Sequence, residues 1–259
     1  MGHLEPSEMA SGPRWREVKR LLGEGVSVEN LAEATVEAAE SELTFSDCDP
    51  AFVYTVWLLT QIPIAAKQTN SEVRLAELGF PAESTQSLHG FVAAFSNAVN
   101  AHVGQSVGRT DLGELARLAA AESLSTIVGS ALPSLFGASP DDFKAELGKL
   151  ATKTRFARLT RDFFARLTLK TLEYYLSREQ ANHVGPGETY TSIDDQIAFR
   201  RALDDHCYAA SAIVERFAGG WYGKANYHGE ITPDQAGKFA SYALKKMRNE
   251  LCRRRGRDG

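Results

Sequence analysis

The feature that most constrains the fold is a long run of helix-compatible residues in the second half of the chain, residues 139–183. Ser139, Pro140 and Asp142 supply an N-cap hydroxyl, a proline in the first turn and an acid at the third position, which together mark a helix start. After Pro140 the run contains no further proline and one glycine, Gly148. The run is therefore predicted to be helical almost throughout.

Two apolar stripes follow this run at helical spacing, and on a helix of about 3.6 residues per turn they point in different directions. The change of direction predicts a break or kink near residues 148–154, with a short helix leading into a long one. Residues 163–176 carry apolar side chains on several sides, which is typical of a helix surrounded by other helices. The first stripe is Phe143, Leu147 and Leu150, and the second is Phe156, Leu159, Phe163 and Leu167.

The rest of the chain also has the pattern of helices separated by glycine and proline. Asp49 marks a helix start, and so do Thr232 and Gln235, whereas Pro63 is expected to end or kink its helix. No segment alternates as a strand does, and no repeat is visible. We predict an all-α fold, an array or bundle of about eight to ten helices around a long central helix, with no sheet.

The domain organisation follows from where the periodic segments stop. Residues 1–12 are predicted to be a disordered lead-in, and residues 13–259 a single all-α helical domain. Residues 129–138 are the best candidate boundary in the chain. An alternative with two lobes, residues 13–129 and 139–256, therefore stays open.

The cysteines and the apolar content indicate the compartment. Cys48, Cys207 and Cys252 are odd in number and far apart, which argues against a disulfide framework or a zinc site and suits a reducing cytoplasm. No export signal is visible, and the most apolar run, residues 51–66, is too short and too polar to span a bilayer. We expect a cytoplasmic protein with no metal, no cofactor and no membrane contact.

Charge is distributed unevenly along a chain whose net charge is −4. Residues 1–140 contain 8 Lys or Arg against 17 Asp or Glu, whereas residues 141–259 contain 21 against 16. The two halves could dock onto each other, or the basic half could contact the phosphates of a nucleic acid. The candidate residues for such a basic surface are Lys149, Lys153, Arg155, Arg158 and Arg161.

Reactive side chains occur in a row at Asp204, Asp205, His206 and Cys207. Neighbouring positions on a helix diverge by about 100°, so these four cannot converge on one ligand. His206 falls in an apolar stripe, where a histidine is more often a core residue than a general base. No catalytic elbow or nucleotide fingerprint is present. We assign no catalytic residue and keep an enzyme with a dispersed site including His206 as an alternative.

The segment Gly-Gly-Trp-Tyr-Gly-Lys at residues 219–224 ends like a phosphate loop but lacks the other residues of the Walker pattern. The helix that carries an apolar stripe over residues 199–217 is expected to stop at the two glycines. Trp221 and Tyr222 would then lie on a short constrained loop, with at least one ring packed against the final helix. Trp221, Tyr222 and Lys224 are therefore the candidate partner-binding residues.

These observations favour a binding protein over an enzyme. We predict a non-enzymatic helical adaptor or accessory subunit of a larger bacterial assembly, of which a multi-gene defence system is one example. The content of Ala, Arg and Gly suits a GC-rich bacterial gene. A protein partner or self-association is expected, and nucleic-acid binding by the basic C-terminal half is the alternative.

Overall fold

The computed structural model describes residues 12–38, 49–106, 110–132, 139–180, 190 and 192–254. Within these ranges the chain forms helices and turns and no β-sheet, so the prediction of an all-α fold is confirmed. Residues 1–11 of the predicted lead-in and residues 133–138 of the predicted boundary lie outside the described ranges.

The described ranges contain a series of α-helices. In chain order they are α1 (Pro13–Glu24), α2 (Val28–Ala38), α3 (Pro50–Lys67), α4 (Ser71–Glu77), α5 (Leu88–Ser106), α6 (Asp111–Gly129), α7 (Pro140–Lys149), α8 (Lys153–Gln180), α9 (Ile193–Ala210), α10 (Ala212–His228) and α11 (Pro233–Arg254). A 3₁₀ helix, Ala82–Gln86, lies between α4 and α5.

Helix α8 is the central helix that the two apolar stripes predict. It packs mainly against α6, α9 and α10 and also touches α1, α2 and α11. The turn at residues 150–152, between α7 and α8, is the predicted break. This turn allows the two stripes to point in different directions, and every residue of both stripes is buried.

Helix α3 is a second buried helix, which lies against α6, α7 and α11. The carboxylate of Asp49 caps its first turn by accepting a hydrogen bond from the backbone N–H of Phe52 (2.8 Å). The sequence predicted that Pro63 would end or kink this helix. The helix does not end there, since it continues to Lys67. Proline removes a backbone hydrogen bond at that point, and the packing of neighbouring helices on this segment outweighs the loss.

A polar contact joins α3 to the turn between α10 and α11. The indole Nε1 of Trp57 donates to the carbonyl oxygen of Ile231 (2.8 Å), and the amide Nε2 of Gln61 donates to the same oxygen (3.0 Å). The side chain of Ile231 is fully buried beside Phe156 and Tyr222. One carbonyl group therefore fixes the start of the last helix relative to α3.

The helix that was expected to stop at Gly219 and Gly220 breaks earlier, at Ser211. Helix α9 ends before this serine, and α10 passes through both glycines as far as His228. The prediction of a constrained loop that carries two aromatic rings is therefore wrong, because that segment is helical.

The close approach of α8 explains the glycines of α10. A Cβ atom built on Gly219 would stand 2.5 Å from the carbonyl oxygen of Lys153, and one on Gly223 would clash with the side chain of Lys153. Gly220, in contrast, faces open space. Glycine at positions 219 and 223 thus leaves room for a neighbouring helix and does not end its own.

The helix starts predicted at Ser139 and Thr232 are confirmed by side-chain caps. Ser139 and Asp142 exchange hydrogen bonds between side chain and backbone at the start of α7. Before α11, the backbone N–H of Thr232 donates to the side chain of Gln235 (3.0 Å), and the backbone N–H of Gln235 donates back to the Thr232 hydroxyl (3.3 Å). Both are capping boxes, which satisfy N–H groups that a helix start leaves without partners.

The first turns of α3 and α6 share one capping cluster. Thr110 caps α6 by accepting a hydrogen bond from the N–H of Gly113 (3.0 Å), and its hydroxyl donates to the carboxylate of Asp49 (2.5 Å). Asp49 in turn caps α3. A Cβ atom on Gly113 would clash with the Cβ of Ala51, so the two helix starts are also close in space.

The acidic and basic halves of the chain meet at several ion pairs. Glu122 of α6 accepts from Arg166 (3.3 Å) and from Lys170 (2.7 Å) of α8, and Lys144 pairs with Glu72 (2.8 Å). A large cluster of buried apolar side chains also draws on helices from both halves. The division into one domain or two lobes stays a prediction.

Candidate protein-interaction site

Helix α9 buries one side and exposes the other. Its outer side carries Ile193, which is 69% exposed, and Ile197, which is 43% exposed. The two isoleucines are four residues apart, so their side chains are neighbours on one face of the helix. The inner side, which faces α8 and other helices, carries the buried residues Leu203, His206, Cys207 and Ala210.

A pocket of about 350 Å³ lies between α8 and α9, and Ile197 forms part of its wall. Nε of Arg200 donates to the carboxylate of Glu173 across this pocket (2.5 Å). Such a lining can accept an apolar side chain and offer it polar neighbours. The apolar lining is Leu176, Ile197, Phe199 and Leu203, and the polar lining is Glu173, Gln196 and Arg200. Residues 181–189, which precede α9, lie outside the described ranges.

The two isoleucines were not among the predicted site residues. Their spacing of four is visible in the sequence, and so is the separate inward stripe of α9. What the sequence lacks is the information that nothing among the described residues covers the outer side, since that depends on where the other helices lie.

The ring of Trp221 stacks on the ring of Phe239 in α11, with 4.1 Å between the ring centroids. The expectation that one ring packs against the final helix is therefore confirmed. Trp221 is half-buried in this position, and Lys224 is exposed. Both keep some surface that a partner could contact.

Tyr222 lies in the core and is 1% exposed. Its ring stacks on Phe156 with 3.9 Å between centroids, and its hydroxyl donates to the carbonyl oxygen of Thr60 (3.4 Å). Burial raises the pKa of the Tyr222 phenol, so the group stays neutral. The side chain of Tyr222 thus has no surface for a partner in this structure.

The five basic candidates are not all on one surface. Lys149 forms an ion pair with Glu146 of the same helix, α7. Arg155 is half-buried and lies two positions after Lys153, which places the two residues on opposite sides of α8. Arg155 therefore does not share the side of α8 that carries Lys153, and the charge of Lys149 is already paired.

The remaining basic candidates lie where α8 meets α10. Arg161 forms an ion pair with Glu215 of α10 (2.6 Å), and its guanidinium carbon stands 4.3 Å from the centroid of the Tyr208 ring. Lys153 lies against the glycines of α10, and Arg158 is exposed. The structure thus brings Lys153 and Arg161 to the seam between α8 and α10, and Arg158 lies one turn before Arg161 on α8.

His206 is buried on the inner side of α9 and does not line the pocket. The adjacent Cys207 is fully buried, and burial raises the pKa of its thiol, with smaller contributions from Asp204 and Glu173. A neutral thiol is a poor nucleophile. The geometry therefore gives no support to an enzyme built on these residues.

One group of side chains that the sequence did not indicate could hold a metal ion. Glu33 and Glu37 of α2 and Cys252 of α11 place their ligand atoms within 4.8 Å of one another. Burial and the two carboxylates raise the pKa of the Cys252 thiol. Cys252 is far from the two glutamates in sequence, so no local spacing indicates the group.

In the part of the chain that the structure describes, no helix has both the length and the apolar character needed to cross a membrane. Comparisons of the chain with protein-family models, with curated proteins and with solved structures give no match.

Proposed function

We propose that the chain is a non-enzymatic helical adaptor or accessory subunit that binds an amphipathic helix of another protein through the outer side of α9. The observation that carries this proposal is the exposed pair Ile193 and Ile197 beside the pocket between α8 and α9. A bacterial multi-subunit assembly, such as a defence system, is the setting that the composition favours.

The energetics favour a protein partner at this position. Removing one isoleucine side chain from water contributes about 1.5–3 kcal/mol. A partner helix that covers both isoleucines therefore gains a large part of the free energy that stable binding requires. An apolar side chain of the partner would enter the pocket, and its polar groups would meet Glu173 and Arg200 at the same place. This is the arrangement of an amphipathic helix in a groove.

The first prediction is that Ile193→Glu/Ile197→Glu removes the partner. Bound proteins are cross-linked and co-purified from the native host and quantified by mass spectrometry. We expect at least about a tenfold loss of the specific partner, because 1.4 kcal/mol corresponds to a factor of ten. The fold should tolerate the change, since both side chains are exposed and Ile193 lies in the first turn of α9, where an acid is favourable.

The matched control is Val73→Glu/Leu118→Glu, which changes two exposed apolar side chains on other helices. It should retain the partner. Equal recovery of the same proteins by both double variants would contradict the proposal. Sedimentation of the purified chain tests whether a second copy of this chain is the partner. A dimer that only the isoleucine variant fails to form would show that it is.

A further inference from the structure

Helix α10 presents a basic face to solvent. Arg216, Gly220 and Lys224 recur at intervals of four, so they share one side of the helix, and all three are exposed. Tyr227 is eleven residues after Arg216 and falls on the same side; it is 87% exposed. Gly220 has no atom near the position of a Cβ, so this side of the helix is open.

Helix α8 adds cations to the same face. Lys153 lies beside Gly219 and Gly223, whereas Arg161 lies beside Glu215. Residue numbers therefore rise along α8 as they fall along α10, and the two helices are antiparallel.

Arg158 is an exposed cation of α8 close to this seam. It is three residues before Arg161 and so shares its side of α8. In the antiparallel register it is level with the turn of α10 that carries Arg216. Both residues are exposed, and each lies within one turn of the Arg161–Glu215 ion pair that joins the two helices.

The charges of this surface are not neutralised within the described part of the chain. Lys153, Arg158, Arg216 and Lys224 form no ion pair with any residue that the structure describes. The nearest carboxylate on α10, that of Glu215, is already bound to Arg161. A polyanion that lies along the seam would therefore meet four cations whose charge is available.

Aromatic rings stand at the two ends of this surface. Tyr208 is 47% exposed and lies under the guanidinium of Arg161, and Tyr227 lies near the C-terminal end of α10. From Glu215 to Tyr227 the helix rises by about 18 Å. Cations between exposed aromatic rings are the features by which proteins bind single strands, since phosphates contact the cations and bases stack on the rings.

We propose that the seam between α8 and α10 binds single-stranded nucleic acid through its sugar-phosphate backbone, with bases stacked on Tyr208 and Tyr227. This proposal goes beyond the adaptor function and does not depend on it, because it uses neither the isoleucines of α9 nor the pocket. An acidic protein or a nucleic-acid duplex would contact only the cations. The exposed rings favour single-stranded nucleic acid, because unpaired bases can stack on them.

The test is fluorescence anisotropy of a labelled single-stranded oligonucleotide with the full chain at low salt. Four phosphate contacts predict a slope of about −3 for the logarithm of the binding constant against the logarithm of the salt concentration. Arg216→Glu/Lys224→Glu should weaken binding by at least about tenfold. The control Arg16→Glu/Lys245→Glu changes the net charge equally at exposed cations of α1 and α11 and should bind almost as the unchanged chain does.

A second pair of measurements separates nucleic acid from other polyanions. Tyr227→Ala should weaken binding of the oligonucleotide and leave binding of heparin, which has no bases, unchanged. Circular dichroism shows whether each variant keeps its helices. Absence of oligonucleotide binding at low salt, equal losses for the two charge-reversal variants, or no effect of Tyr227→Ala on the oligonucleotide would each overturn the proposal.

Discussion

At the scale of single residues, the glycines of α10 determine how closely α8 can approach. Gly219→Ala places a methyl group 2.5 Å from the carbonyl oxygen of Lys153. We expect the free energy of unfolding to fall by about 1–3 kcal/mol, the usual range for overpacking. Urea unfolding followed by circular dichroism measures the change.

The neighbouring glycine is the matched control. Gly220 faces open space within the same helix, so Gly220→Ala should raise the free energy of unfolding by about 0.5–1 kcal/mol, since alanine loses less backbone entropy than glycine. Opposite signs for two adjacent substitutions are the expected result. A gain at both positions would mean that α8 does not approach α10 closely.

At the scale of helices, the shared capping cluster makes the starts of α3 and α6 depend on each other. Thr110→Val removes the hydroxyl that caps α6 and that donates to the carboxylate of Asp49. We expect a loss of about 1–3 kcal/mol, which combines a lost cap with a buried carboxylate that has lost a donor. Thermal or urea unfolding gives the value.

Thr110→Ser keeps the hydroxyl and is the control for this helix start. It should stay within about 0.5 kcal/mol of the unchanged chain, because serine is an equally good N-cap. If serine costs as much as valine, the hydroxyl contributes no more than the methyl group, and the shared cap does not account for the stability of this helix start.

The helix starts and the glycines show why some features could be predicted from the sequence and others could not. The caps at Ser139 and Thr232 join residues three positions apart, so the sequence contains the whole interaction. The role of Gly219 depends on Lys153, which is distant in the chain, and the local rule for glycine predicted a stop instead. The exposed isoleucines of α9 are similar, because exposure depends on all the other helices.

At the scale of the whole molecule, the acidic and basic halves are joined by charge. Glu122 forms ion pairs with two cations of α8, Arg166 and Lys170. We expect Glu122→Gln to lower the free energy of unfolding by about 0.5–1 kcal/mol at low salt, a modest value because the carboxylate is partly exposed. The loss should shrink towards zero in about 1 M salt, which screens exposed charges.

Glu83 provides the comparison for this experiment. It is exposed and forms no ion pair within the described residues, so Glu83→Gln should change stability little at either salt concentration. A loss for Glu122→Gln that does not depend on salt would show that its effect is not electrostatic.

The hydrogen bonds to the carbonyl oxygen of Ile231 can form only after residue 231 has been synthesised, long after Trp57 and Gln61. Trp57 and Gln61 leave the ribosome early, and their shared acceptor follows 174 and 170 positions later. Until the ribosome has released α11, the apolar side of α3 that this helix covers has no native neighbour there, and such surfaces attract chaperones or other nascent chains. Helix α3 must therefore stay soluble while the 170 or more residues up to α11 are synthesised, because only α11 completes its surroundings.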